Sequence, residues 1–205
     1  MLSALKPGST DLLGLIVATS FAAGLNVYAT VATLGLLAHA GVLGLPPALG
    51  LLGNWWVIGA AVVLFGIEFF ADKIPAFDLI WNALHTFIRI PMAALIAYGA
   101  SAQLSPGQQL LATLAGGTIA LAAHGGKTAA RAFVTPSPEP FSNITLSMGE
   151  DVLAIFLTWF ATQHPVAASL IVLGFLIAIV LVIRWVVRAL RNMFRAPAVS
   201  RAASP

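Results

Sequence analysis

The sequence predicts an all-α fold, a polytopic membrane helix bundle with six transmembrane spans. Three observations carry that prediction. Of 205 residues, 60% are hydrophobic and 8% are charged, whereas soluble domains carry about 25% charged and about 45–50% apolar residues. Apolar stretches approaching the roughly 20 residues that a spanning helix needs recur along the chain, and mean hydropathy is +0.96. Threaded through six spans, all ten Lys and Arg residues fall on one side, the asymmetry expected of cytoplasmic loops.

The first span is Asp11–Leu37. Lys6 precedes it, as in a signal peptide, but the apolar run Leu12–Ala38 exceeds the roughly 7–15 residues of a signal core, so a retained helix is expected. The second is Trp55–Phe70, anchored at the interface by Trp55 and Trp56. The third, Thr86–Ala102, is short and contains Arg89 and Pro91. The fourth is Gln108–Ala130. The fifth, Asp151–Gln163, spans only if Asn143–Glu150 extends it, and the sixth is Val166–Val187. Taking the tail with Arg184, Arg188, Arg191, Arg195 and Arg201 as cytoplasmic puts both termini inside. The loops near Pro46–Pro47, Ser105–Pro106 and His164–Pro165 then carry no basic residue, an asymmetry that a five-span arrangement would break. Residues 1–195 read as one membrane domain and 196–205 as a flexible cytoplasmic tail.

The acidic residues Asp11, Glu68, Asp72, Asp78, Glu139, Glu150 and Asp151 fall on the same side. Orientation does not require this, because acids contribute little to it. Asp78, Asn82, His85 and Arg89 recur at i, i+4, i+7 and i+11, one face of a helix that Pro75 would start. Glu68 and Asp72 lie four apart at the end of span two. His124, Lys127, Thr128 and Arg131 share a face at the end of span four, and Asn143, Ser147, Glu150 and Asp151 line the start of span five. Span one contributes Ser20, Asn26, Tyr28 and Thr30, with Gly24 placed to loosen the helix or admit a close neighbour. Charges at span ends often snorkel, which suits Lys73 and Arg131. Glu68, Arg89 and His124 lie deeper, where an ionisable group faces the bundle or a water-filled cavity. Pairing of Glu68 and Asp72 with Lys127 and Arg131 is the plainer structural alternative.

Two short matches raise internal repetition. "KIPAFD" and "PEPFSN" each place Pro-x-Phe before a polar residue ahead of a polar-striped span, and "AAGLN" and "AAHGGK" would instead mark inverted three-span halves. The Pro-rich Val134–Asn143 reads as a stiff, extended loop that could bring Glu139 or Ser142 to the stripes. The chain has no cysteine, no phosphate-cradling glycine motif, no HExxH and no GxSxG. Its four histidines are not spaced as a metal pair. No cofactor is expected. The net charge of +3 is explained by basic cytoplasmic loops, without a nucleic-acid partner.

Taken together, "SFAAGLNVYAT", "EFFADKIPAFDLIWNALHTFIRIP", "HGGKTAARA" and "SPEPFSN…ED" resemble the bacterial integral-membrane family catalogued as domain of unknown function 4126. The resemblance runs from span one to span five and implies a small multispan protein of a bacterial cytoplasmic (inner) membrane. It implies no activity, substrate or catalytic residue.

The residues point first to a transporter or channel-like protein for an ion or small polar solute. Asn26, Glu68, Asp72, Asp78, Asn82, His85, Arg89, His124, Lys127, Arg131, Asn143, Glu150 and Asp151 would line its site. The acids and His85 would bind a cation or relay protons, and Arg89, Lys127 and Arg131 would balance them or meet an anionic group. A second class is a membrane enzyme acting on a phosphorylated lipid, with His85 or His124 as acid–base. A third is a non-catalytic subunit, a homo-oligomer or a partner in a larger complex, built on small-residue faces such as "LATLAGGTIALAA".

Overall fold

The computed structural model describes the backbone of residues 9–134 and 140–194, and their side chains except at 9, 75–79, 132–134, 140–143, 189–190 and 193–194. The described residues form seven α-helices and one 3₁₀ helix, without strands. The order is α1 (Ser9–Leu25), α2 (Val27–His39), the 3₁₀ helix (Pro47–Gly53), α3 (Trp55–Ala71), α4 (Pro75–Ala100), α5 (Pro106–Val134), α6 (Pro140–Gln163) and α7 (Pro165–Phe194). Each helix from α4 to α7 begins on a proline. Proline suits that position because its ring fixes a helical φ and its missing N–H is not needed in the first turn.

Among the described residues, three helices are long and apolar enough to cross a membrane: Ile80–Ala100 in α4, Ile144–Gln163 in α6 and Pro165–Arg188 in α7. The number is four if the 3₁₀ helix and α3, bent by 63° to each other, form one span. The expected third span is the C-terminal part of α4, which starts earlier, at Pro75, and continues through Pro91. Part of the expected extended loop is instead helical, since Pro140–Asn143 open α6. Residues 135–139, with Glu139, lie outside the described residues.

The largest departure from expectation is the first span. Asp11–Leu37 is not one helix. Asn26 adopts extended backbone, φ −149° and ψ 104°, and the chain reverses there. Packing fixes the reversal. Leu12 and Ile16 lie in one cluster with Ala97, Ala100 and Ala112, where α4 ends and α5 begins. A Cβ on Gly14 would lie 2.5 Å from the Pro165 carbonyl oxygen, at the α6–α7 turn. Farther along α1, a Cβ on Gly24 would meet Ala120, and Leu25 receives Lys127. On the return, Tyr28 meets His85 near the middle of α4, Gly35 abuts Leu52 and Ile58, and the His39 ring lies 4.2 Å from that of Trp55. So α1 and α2 enter and leave at the same end of the bundle, and Asn26 is the tip of a helical hairpin.

The helices α3 to α7 then alternate in direction around this hairpin. Helix α1 packs against α4, α5, α6 and α7 at once. It can do so because it presents small residues, with Ala18, Ala22 and Ala23 fully buried. Exposed Leu170, Leu173, Ile177, Val180 and Leu181 give α7 an apolar outer surface, as a lipid-facing helix requires.

Gly24 tests this packing. A methyl group there would lie 2.5 Å from the Ala120 carbonyl oxygen and 2.7 Å from the Ala123 Cβ. Gly24→Ala is expected to cost about 1–3 kcal/mol, the range for overpacking a close-packed contact. Gly59→Ala faces open space and serves as the control. The readout is the midpoint of unfolding in detergent, lowered by the first substitution and not by the second.

Candidate functional site

The site is built where the hairpin tip meets the ends of α3 and α5 and the first halves of α4 and α6. Asn26, Glu68, Asp72, Asn82, His85, Arg89, His124, Lys127, Arg131, Glu150 and Asp151 are all buried there. The four polar stripes therefore face one another across the bundle. Asp78 and Asn143 lie on α4 and α6, but their side chains are outside the described residues.

Asn26 makes the reversal possible. Its side-chain oxygen accepts from Ala29 N at 2.9 Å, capping α2. Its amide donates to Asp151 Oδ1 at 2.8 Å. Its backbone oxygen accepts from the Thr30 hydroxyl at 3.0 Å. The two helix ends at the tip carry opposite partial charges. Lys127 Nζ lies 3.3 Å from the Leu25 carbonyl, at the negative end of α1, while Asp151 stands by the positive start of α2. Each charge suits the dipole that it faces.

Lys127 also gathers carboxylates from two other helices. Its ammonium is 3.0 Å from Asp72 Oδ2, 3.4 Å from Glu150 Oε2 and 3.7 Å from Glu68 Oε1. One turn on, Arg131 Nη2 bonds Asp72 Oδ2 at 2.8 Å and Glu150 Oε2 at 2.6 Å, while Nη1 donates to the Asp72 carbonyl at 3.2 Å. Asp72 caps α3 one residue beyond the helix. Burial opposes ionisation of its carboxyl, but the charges of Lys127 and Arg131 outweigh it and hold the group below its ordinary value. Lys73, its neighbour, turns away from the network: its ammonium bonds the Phe69 carbonyl at 2.8 Å and sits over the Phe69 ring.

Arg89 forms the second centre. Nη2 donates to Glu68 Oε1, and Nη1 reaches Asn82 Oδ1 at 3.2 Å and His124 Nδ1 at 2.9 Å. A guanidinium has only donors, so His124 Nδ1 must accept. The ring proton is thereby assigned to Nε2, which donates to the Thr86 hydroxyl at 2.8 Å. That hydroxyl donates in turn to the Asn82 carbonyl at 3.1 Å. The chain Arg89–His124–Thr86 has one direction throughout. His85 sits at the edge. Its Nδ1 donates to the Trp81 carbonyl at 2.8 Å, Nε2 faces the Tyr28 hydroxyl at 3.0 Å, and the Trp81 ring stacks on it.

Thr86 was not singled out from the sequence, although it lies four residues after Asn82 and so shares the stripe. The Leu25 carbonyl carries no side-chain signal at all. His39 and His164 lie away from the network, against Trp55 and Phe160 respectively. Among the described residues, no group of three or more His, Cys, Asp or Glu is placed to hold a metal ion. The carboxylates instead face cationic side chains. The arrangement holds charges of both signs in mutual contact, and two hydroxyls meet imidazoles in it, Thr86 at His124 and Tyr28 at His85.

Two tests probe the network, a charge-pair cycle and a hydroxyl deletion. Asp72→Asn or Arg131→Met alone is expected to lower unfolding stability by about 3–5 kcal/mol, the cost of stranding a buried charge. The double variant should lose less than the sum. Thr86→Val leaves the His124 Nε2–H unsatisfied, at about 1–3 kcal/mol. Both are read from detergent unfolding curves, and strict additivity of the first pair would contradict the described contacts.

No curated protein and no solved structure matches the chain. One family model does, that of Domain of unknown function (DUF4126), over residues 13–185. The match covers the hairpin, the network and most of α7, and the chain belongs to that family.

Proposed function

We propose that the protein is a small transporter or channel-like protein for an ion or small polar solute, set in a bacterial cytoplasmic (inner) membrane. A single observation carries this reading: a buried charged network meets the tip of a re-entrant hairpin. Ionisable groups are costly in an apolar bundle and mark ion or solute paths. Interrupted helices supply backbone carbonyls and dipole ends for such paths, and irregular backbone at membrane depth is tolerated only where protein or water surrounds it. With α1 and α2 re-entrant, the reading becomes five crossings, α3 to α7, in place of six. Arg184, Arg188 and Arg191 assign the α7 end to the cytoplasm. The start of α1 then faces the opposite side, so the N-in orientation is replaced.

A second reading has one observation in its favour. Arg89, Lys127 and Arg131 each already hold carboxylate partners, as they would in a non-catalytic subunit that uses its charges as glue. The same engagement counts against an enzyme that clamps a lipid phosphate.

Reconstituted vesicles separate the two. Radioactive sodium uptake and an internal pH dye should report flux above protein-free vesicles. Glu68→Gln, which removes the charge opposite Arg89, should lower it at least about tenfold, since a broken buried pair is worth several kcal/mol. Flux equal to that of empty vesicles for both probes would favour the subunit reading.

A further inference from the structure

Asp151 differs from the other carboxylates of the network. Glu68, Asp72 and Glu150 each lie within 4.0 Å of a Lys or Arg nitrogen, whereas the hydrogen bond from Asn26 to Oδ1 is the contact that Asp151 makes. It is 3% exposed, and its Oδ2 has no hydrogen-bond partner. One turn earlier on α6, Ser147 is fully buried and its Oγ is likewise unpartnered. Residues four apart share a helix face, so both side chains stand on one buried face of α6, with Asp151 at the tip of the hairpin through Asn26. Buried polar atoms in native proteins are nearly always satisfied, and an exception calls for an explanation, a bound water or ion among them.

We propose that Asp151 and Ser147 form a binding site for a monovalent alkali cation, with Asn26 orienting the carboxylate. A hard cation selects oxygen ligands. One carboxylate beside a neutral hydroxyl balances a single positive charge. A divalent ion would require more acids than this corner provides, because Glu68, Asp72 and Glu150 are engaged by Arg89, Lys127 and Arg131. The site rests on the transport reading only in making the cation a cargo or a coupling ion, and binding is measurable without transport.

The test is thermal unfolding of the purified full chain in detergent, in sodium, potassium, lithium or choline chloride at fixed pH and ionic strength. One alkali ion should raise the midpoint saturably above choline. Asp151→Asn should abolish the rise, and Ser147→Ala should move half-saturation about tenfold, the equivalent of one lost ligand of roughly 1.4 kcal/mol. If Asp151→Asn does not fold, the Ser147→Ala shift decides. Equal midpoints in all salts, a larger rise with magnesium or calcium, or a response to pH alone would each overturn the site. Sodium-independent flux in vesicles without a salt effect on unfolding would remove this site and leave transport standing. A saturable salt effect without flux would do the reverse.

Discussion

The ammonium of Lys127 is the point on which the bundle depends. It joins the Leu25 carbonyl of α1, Glu68 and Asp72 of α3, and Glu150 of α6 to its own helix, α5. An isolated ion in an apolar interior carries a penalty of several kcal/mol, and mutual attraction offsets it only when the geometry is good and hydrogen bonds satisfy the remaining sites. Arg131 and Arg89 extend the same solution to either side, using planar forks that reach two partners at once. The polar centre is therefore cooperative: each carboxylate is tolerable because its cation is present, and the reverse holds too.

The backbone follows the same logic. A chain that turns back inside a membrane leaves the last carbonyls of one helix and the first amides of the next without partners. Lys127 meets one set at Leu25, and the Asn26 side chain meets the other at Ala29. Gly24 permits α1 to approach the α5 backbone closely enough for that contact. Sterics, capping and charge thus converge on three consecutive positions, Gly24 to Asn26.

Much of the site was legible because helical periodicity reports faces. The four-residue spacings of Glu68 and Asp72, and of Lys127 and Arg131, placed their side chains together before any coordinates. Pro75 marked the start of α4 correctly. The hairpin was not legible in the same way. "AAGLNVYAT" is apolar enough to continue a helix, and hydropathy does not distinguish a crossing from a return. The local cue was Asn26, a strong N-cap residue, but the partner of its amide, Asp151, lies 125 residues away. Thr86 escaped notice for a smaller reason: a hydroxyl can satisfy itself on its own helix, and only His124 gives it a second role.

The hairpin has a consequence for how the protein is made. Helices α1 and α2 leave the ribosome before α3 to α7, yet two side chains that meet their tip are encoded later, Lys127 on α5 and Asp151 on α6. Until those helices arrive, the Leu25 carbonyl and the Asn26 amide lack these partners. By contrast, α3 with α4 and α5 with α6 each bring both signs of charge as a pair. The contacts of the hairpin tip are therefore complete only once α5 and α6 have been made.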